Sequence, residues 1–184
     1  SNGSITVTNQ STLTINSTAS SLALTLSSGQ CNLVSHGKVV GSNAAASTVT
    51  IGASVWVGGQ GWYQTSGSVL FAKNGTFASA INIAAGAQVL TSGAFSIEST
   101  SDVQNAGTFK VVGGVTTIAA VLTTNGTVLV SGGSIVAVPN FTLPNTQLQI
   151  GSGVFNFSAG NGFVYNVKSI ALTGGRINVF PSSA

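Results

Sequence analysis

The chain has 184 residues, of which 4 % are charged, against roughly 25 % in an ordinary soluble domain; the apolar fraction, 43 %, is near normal. The missing charge is replaced by 26 Ser, 21 Thr, 15 Asn and 24 Gly, and there is no Met. This excludes a charge-swollen disordered chain, which needs low hydrophobicity and high net charge, and a helical bundle, which needs Leu, Glu, Lys and Ala in quantity.

Residues 1–28 hold no aromatic residue and no Pro. Their large apolar residues alternate with polar ones over 4–8, 12–15 and 22–26, the period of a half-buried strand. Apolar positions are odd from Ile5 to Ile15 and even from Leu22 to Leu26. A single buried face is therefore not kept, and the polar stretch 16–21 reads as a hinge. Two readings follow. Either these are the first strands of the domain, or they are a donor strand that leaves its own domain and completes a neighbour's sheet. In the second case 1–28 is tail and linker, 29–184 is a β-rich head, and Ile5, Val7, Leu13 and Ile15 fill the acceptor groove.

Strands follow at 48–51, 54–57, 68–71, 80–83, 95–97, 108–112, 116–122, 127–130, 134–138, 147–150, 154–157, 163–167, 169–172 and 176–180. Between them stand turn signals such as Gly58-Gly59, Asn74-Gly75, Gly113-Gly114, Asn125-Gly126, Gly132-Gly133 and Gly174-Gly175, which suit two-residue hairpins. Short strands at this spacing predict an all-β chain with a sandwich head. The alternative is a β-solenoid. Thr65-Ser66-Gly67 returns at Thr91-Ser92-Gly93, and Asn74-Gly75-Thr76-Phe77 is echoed at Ala106-Gly107-Thr108-Phe109 and Asn125-Gly126-Thr127-Val128. The unequal intervals speak against equal stacked coils, which favours the sandwich.

Chemistry is short of parts. Glu98 and Asp102 are the only side-chain carboxylates, His36 the only imidazole and Cys31 the only thiol. Cys31 with His36 as nucleophile and base lacks an orienting acid in any motif, and Glu98 with Asp102 reads as a pair of solvated loop residues rather than a glycosidase couple. No catalytic residue, metal site or cofactor is expected, and the chain is not read as an enzyme. Five scattered cations make no phosphate-tracking stripe, so no nucleic-acid partner is expected. Trp56, Trp62 and Tyr63 flank the glycines at 58, 59 and 61 and form the best candidate ligand site, since aromatic faces stack on sugar rings; the competing reading makes Trp56 core, with Trp62 and Tyr63 capping it.

Seven N-x-S/T triplets begin at Asn2, Asn9, Asn16, Asn74, Asn125, Asn140 and Asn156, where chance supplies roughly four. Attached sugars, or burial in a polymer, would solvate or cover a chain with mean hydropathy of +0.47 and so little charge. No apolar run is long enough for a membrane helix, and the absence of Met fits removal of an initiator and leader. With two side-chain carboxylates, little proton uptake accompanies unfolding, so the fold should tolerate acid. An extracellular location fits all of this.

The alternating segment Ser4 to Ile15, ahead of a β-rich, charge-poor, sequon-laden domain, resembles the subunit of the archaeal thread filament, a family similar in fold to bacterial type-I pilins. The resemblance implies a secreted, N-glycosylated subunit joined to identical subunits by donor-strand complementation, in a surface filament for adhesion or biofilm formation. Ile5, Val7, Leu13 and Ile15 would then fill the groove, and the seven sequon asparagines would carry glycans. The rival reading is a secreted carbohydrate-binding module or adhesin.

Overall fold

Alternation of apolar and polar residues makes strands, and here the strands climb rather than turn back. The computed structural model describes residues 12–17, 21–24, 30–33, 38–52, 54–58, 60–98, 101–119, 121–137, 143, 145–158 and 167–180. Strands are numbered in chain order. The first sheet holds β1 (Thr12–Ser17), β4 (Lys38–Asn43), β7 (Gly61–Ser66), β10 (Ile81–Ile83), β13 (Asp102–Asn105) and β16 (Val121–Thr124). The second holds β2 (Ser21–Leu24), β5 (Thr48–Ile51), β8 (Ser68–Phe71), β11 (Gln88–Thr91), β14 (Thr108–Val111), β17 (Thr127–Val130), β19 (Gln147–Ile150) and β21 (Ser169–Leu172). The third holds β3 (Gln30–Leu33), β6 (Ser54–Val57), β9 (Gly75–Phe77), β12 (Phe95–Ile97), β15 (Val115–Ile118), β18 (Ser134–Ala137), β20 (Val154–Ser158) and β22 (Arg176–Phe180).

Within each sheet every strand pairs in parallel with the strand three places on, or two places on at the C-terminal end, where no first-sheet strand lies among the described residues. The chain is therefore a three-faced β-solenoid, each coil visiting the three sheets in turn. The column Ser68, Gln88, Thr108, Thr127, Gln147 shows the period, about twenty residues per coil. This corrects the sandwich expectation while keeping the all-β class. A sandwich of hairpins needs antiparallel neighbours, and the described pairings are parallel.

The corners explain why the turn signals misled. Gly114 (φ +65°) and Gly133 (φ +65°) sit between the second and third sheets in consecutive coils. Both adopt the left-handed region open to glycine, and a Cβ on either would run into the backbone carbonyl of the glycine one coil before, Gly93 or Gly114. Glycine here lets corners stack on corners; it does not reverse the chain. The motif intervals mixed different corners: Ala106-Gly107 and Asn125-Gly126 are equivalent, each just before a strand of the second sheet, but Asn74-Gly75 precedes a strand of the third. The expected single strand 116–122 is two strands, β15 and β16, on different sheets.

Inside the solenoid, like stacks on like. The second sheet buries Val49, Val69, Val89, Phe109, Val128 and Leu148 in one column. Phe71, Phe77 and Phe95 form an aromatic knot, Phe71 meeting Phe77 edge-on at 5.2 Å between ring centroids and Phe77 stacking on Phe95 at 5.5 Å, the geometries that ring quadrupoles favour. Gly75, in register between Val55 and Phe95, leaves room for the Phe95 ring. Buried polar side chains are paired: Thr91 Oγ1 and Thr116 Oγ1 join the second and third sheets at 3.0 Å, and Asn43 Nδ2 donates to Ser47 O at 2.8 Å; the exception is Asn105, whose Nδ2 donates to Thr127 O but whose buried Oδ1 has no partner. Such bonds offset the desolvation of buried polar groups.

Candidate functional site

The aromatic trio is divided by the pleat. In Ser54-Val55-Trp56-Val57 the two valines point inward and are buried, so Trp56 stands on the outer face of the third sheet, half-buried. Trp62 goes inward on the first sheet and is 1 % exposed. Its indole N–H donates to Gln64 Oε1 at 3.0 Å, and its ring meets Phe71 edge-on at 5.0 Å. Gln64 Nε2 in turn donates to Asn43 Oδ1 at 2.9 Å. Trp62 is thus a satisfied core residue and no surface platform, and Tyr63 beside it is half-buried on the opposite side of β7. The expected arrangement, Trp56 inside with Trp62 outside, is inverted.

Around Trp56 the outer face of the third sheet forms a shallow groove of about 390 Å³. Trp56, Thr76, Ser96 and Thr117 are cross-strand partners, one from each of four successive coils. A Cβ on Gly58 would collide with the Trp56 ring, so the bare backbone at 58 is what the indole lies over. Asn74 borders the groove; its Oδ1 accepts from Ala94 N–H at 2.9 Å, which orients the amide. Among the described residues, no charged one lines this groove. A smaller groove of about 250 Å³ lies beside the first sheet, among Asn82, Gln104, Asn105 and Asn125.

A second feature is the last described coil, β21 and β22. Ile170 and Leu172 on β21 continue the inward columns of Leu148 and Ile150, yet are 53 % and 54 % exposed. Val179 on β22 continues the Phe157 column at 67 % exposed. Among the described residues, none lies over these core-type positions.

The remaining candidates are scattered. Leu13 and Ile15 belong to β1, the edge of the first sheet, paired with Val39 and Gly41 of the same chain; Ile5 and Val7 lie outside the described residues. β1 and β2, from the segment set apart as a tail, thus stand in this structure as first strands of two sheets. Among the sequon residues, Asn74 and Asn125 are exposed at turns. Asn16 is in β1. Asn156 is half-buried in β20, its Oδ1 accepting from Asn178 Nδ2 at 2.9 Å. Asn2, Asn9 and Asn140 lie outside the described residues, as does His36. Cys31 is in β3. Glu98 and Asp102 are both exposed, and Asp102 accepts from Gln104 Nε2 at 2.8 Å. Among the described residues no three His, Cys, Asp or Glu side chains are grouped to hold a metal ion, and no helix is long and apolar enough to cross a membrane.

No protein-family model, curated protein or solved structure matches this chain. The outward column led by Trp56 and the open end had one sequence signal each: the strand parity of Trp56 between two valines, and the alternation in Ser169-Ile170-Ala171-Leu172.

Proposed function

We propose that the chain is a structural subunit of an extracellular homopolymer, built by end-to-end stacking of solenoids through parallel strand addition. The observation behind this reading is the last described coil: β21 and β22 are sheet edges whose core-type residues Ile170, Leu172 and Val179 are more than half exposed. Edge strands are ready templates for pairing, and proteins that avoid it place charges or bulges there. β21 has no charged residue, and neither have β1, β2 and β3 at the opposite edge; β22 has only Arg176, at its start. A copy's first coil laid on the last would prolong the parallel sheets and cover the exposed column. Such a head-to-tail contact does not close on itself, so it yields a filament.

The strand-addition principle is the one that the resemblance to thread subunits implies. On a solenoid the acceptor is the edge of the last coil, β21 and β22, and the donor is β2 and β3, the first described strands of the same two sheets; Leu13 and Ile15 lie beside them on β1 of the first sheet. Sugars on the exposed Asn125 would keep the sides of the filament solvated, whereas Asn74 and Asn156, whose Oδ1 atoms are held by Ala94 N–H and Asn178 Nδ2, are poorer acceptors. Surface adhesion or biofilm formation is the biological use this assembly serves.

The test is electron microscopy and sedimentation of the wild-type chain beside Leu172→Lys and Ile170→Lys. Wild type should form filaments with a subunit repeat of about 38 Å, eight coils at about 4.8 Å each, and the lysine variants should stay monomeric with unchanged circular dichroism. Monomeric wild-type protein at every concentration, or lysine variants that polymerise like wild type, would contradict the proposal.

A further inference from the structure

The groove on the third sheet carries a separate inference, one that does not depend on the open end. We infer that it is a binding site for an extended, uncharged polysaccharide, with Trp56 as the stacking platform. Strand spacing sets the geometry: successive coils lie about 4.8 Å apart, so Trp56, Thr76, Ser96 and Thr117, in register across four coils, form a ladder of one indole and three hydroxyls about 14 Å long. A polymer running along the solenoid axis meets this ladder at every step.

The chemistry selects the ligand. Hydroxyls both donate and accept, as sugar hydroxyls do. An aromatic face takes the C–H face of a pyranose ring, and Asn74, oriented by Ala94 N–H, adds an amide at the rim. Val115, 44 % exposed, supplies apolar area beside Thr117. The lining has no charge, so an anionic polymer gains nothing from it and a neutral one loses no ionic solvation. The platform is also preset: Gly58 is the bare backbone under the indole, which reduces the ordering cost of binding. Flat ligands suit the shape, because the outer surface of a parallel sheet is a shallow trough rather than a pocket.

A glycan on Asn74 would occupy the same trough, so the experiment uses protein from a bacterial host that adds none. Affinity electrophoresis is run in gels containing hydroxyethyl cellulose, galactomannan or laminarin as neutral probes, with carboxymethyl cellulose as the anionic counterpart. At least one neutral gel should retard the protein. Trp56→Ala should weaken that retardation about tenfold or more, Thr76→Lys should weaken it through a charge set in the trough, and Asn82→Ala on the first sheet should leave it unchanged. Circular dichroism checks each fold, and Thr76→Lys decides if Trp56→Ala is unfolded. Three results would overturn the inference: no retardation by any neutral gel, retention by folded Trp56→Ala equal to wild type, or stronger retention by the anionic gel than by its neutral analogue.

Discussion

The middle coils and the last described coil carry the same kind of residue in the same columns, with opposite outcomes. Val69, Val89, Phe109, Val128 and Leu148 are all buried to within 1 %, and Ile170, next in the column, is half in water. The difference lies in neighbours rather than in sequence. A solenoid coil has no core of its own; it buries its inner face only by lying between two others. Apolar residues at an open end thus state what the end is suited to cover.

Substitutions separate the two regions, the largest effect coming from the middle. Phe71→Ala removes the ring at the centre of the aromatic knot, which Trp62, Phe77 and Phe95 all contact, and should cost about 3–5 kcal/mol. At about 2–4 °C per kcal/mol for a domain of this size, calorimetry should show a fall of roughly 6–20 °C. Gly114→Val should follow at about 2–4 kcal/mol, because a side chain there meets both the positive φ and the Gly93 carbonyl; denaturant titration gives the value. Trp62→Phe keeps most of the packing but deprives buried Gln64 Oε1 of its indole donor, a loss of about 1–3 kcal/mol. Leu172→Ala, the same chemistry as a core truncation but at the open end, should cost about 1 kcal/mol or less in the monomer. If it matches Phe71→Ala, the end is not open.

The smallest expected effect is that of pH. With only Glu98 and Asp102 as side-chain carboxylates, few protons are taken up on unfolding. Stability depends on pH only through the difference in bound protons between the unfolded and native states. Between pH 7 and pH 3 the melting temperature should therefore move by less than about 4 °C, or roughly 1 kcal/mol. A collapse in acid would mean that Glu98, Asp102, His36 or the C-terminal carboxylate binds protons differently in the folded and unfolded chain.

Many strand positions were legible, though not those of β4, β9, β11 and β13; the arrangement of the strands was not. Alternation marked Thr48–Ile51, Ser54–Val57, Ser68–Phe71, Thr127–Val130 and Gln147–Ile150 at their observed bounds, because the pleat imposes period two whatever the partner strand. Parallel and antiparallel neighbours share that period, and glycine serves a stacked corner as readily as a hairpin. β7 escaped notice because Gln64 takes an inward place that an apolar residue normally fills, satisfied there by Trp62 and Asn43. The twenty-residue coil was hidden by comparing motifs at different corners. At the candidate site, the valines flanking Trp56 are the signal for its outward position, against the reading that places it in the core, and the hydroxyl ladder beside it leaves no such signal. Thr76, Ser96 and Thr117 are brought together by coil register alone.

The central claim is an ordered interior with an open, assembling end, and residue-resolved hydrogen exchange tests it most directly. In dilute protein the amides of β21 and β22 should exchange far faster than those of β8 and β14, since end coils open locally while inner ones need global unfolding. Raising the concentration until the protein assembles should slow β21 and β22 toward the rate of the interior. Terminal strands already as protected as β8 in the dilute monomer, or still fast in the assembled state, would contradict the account.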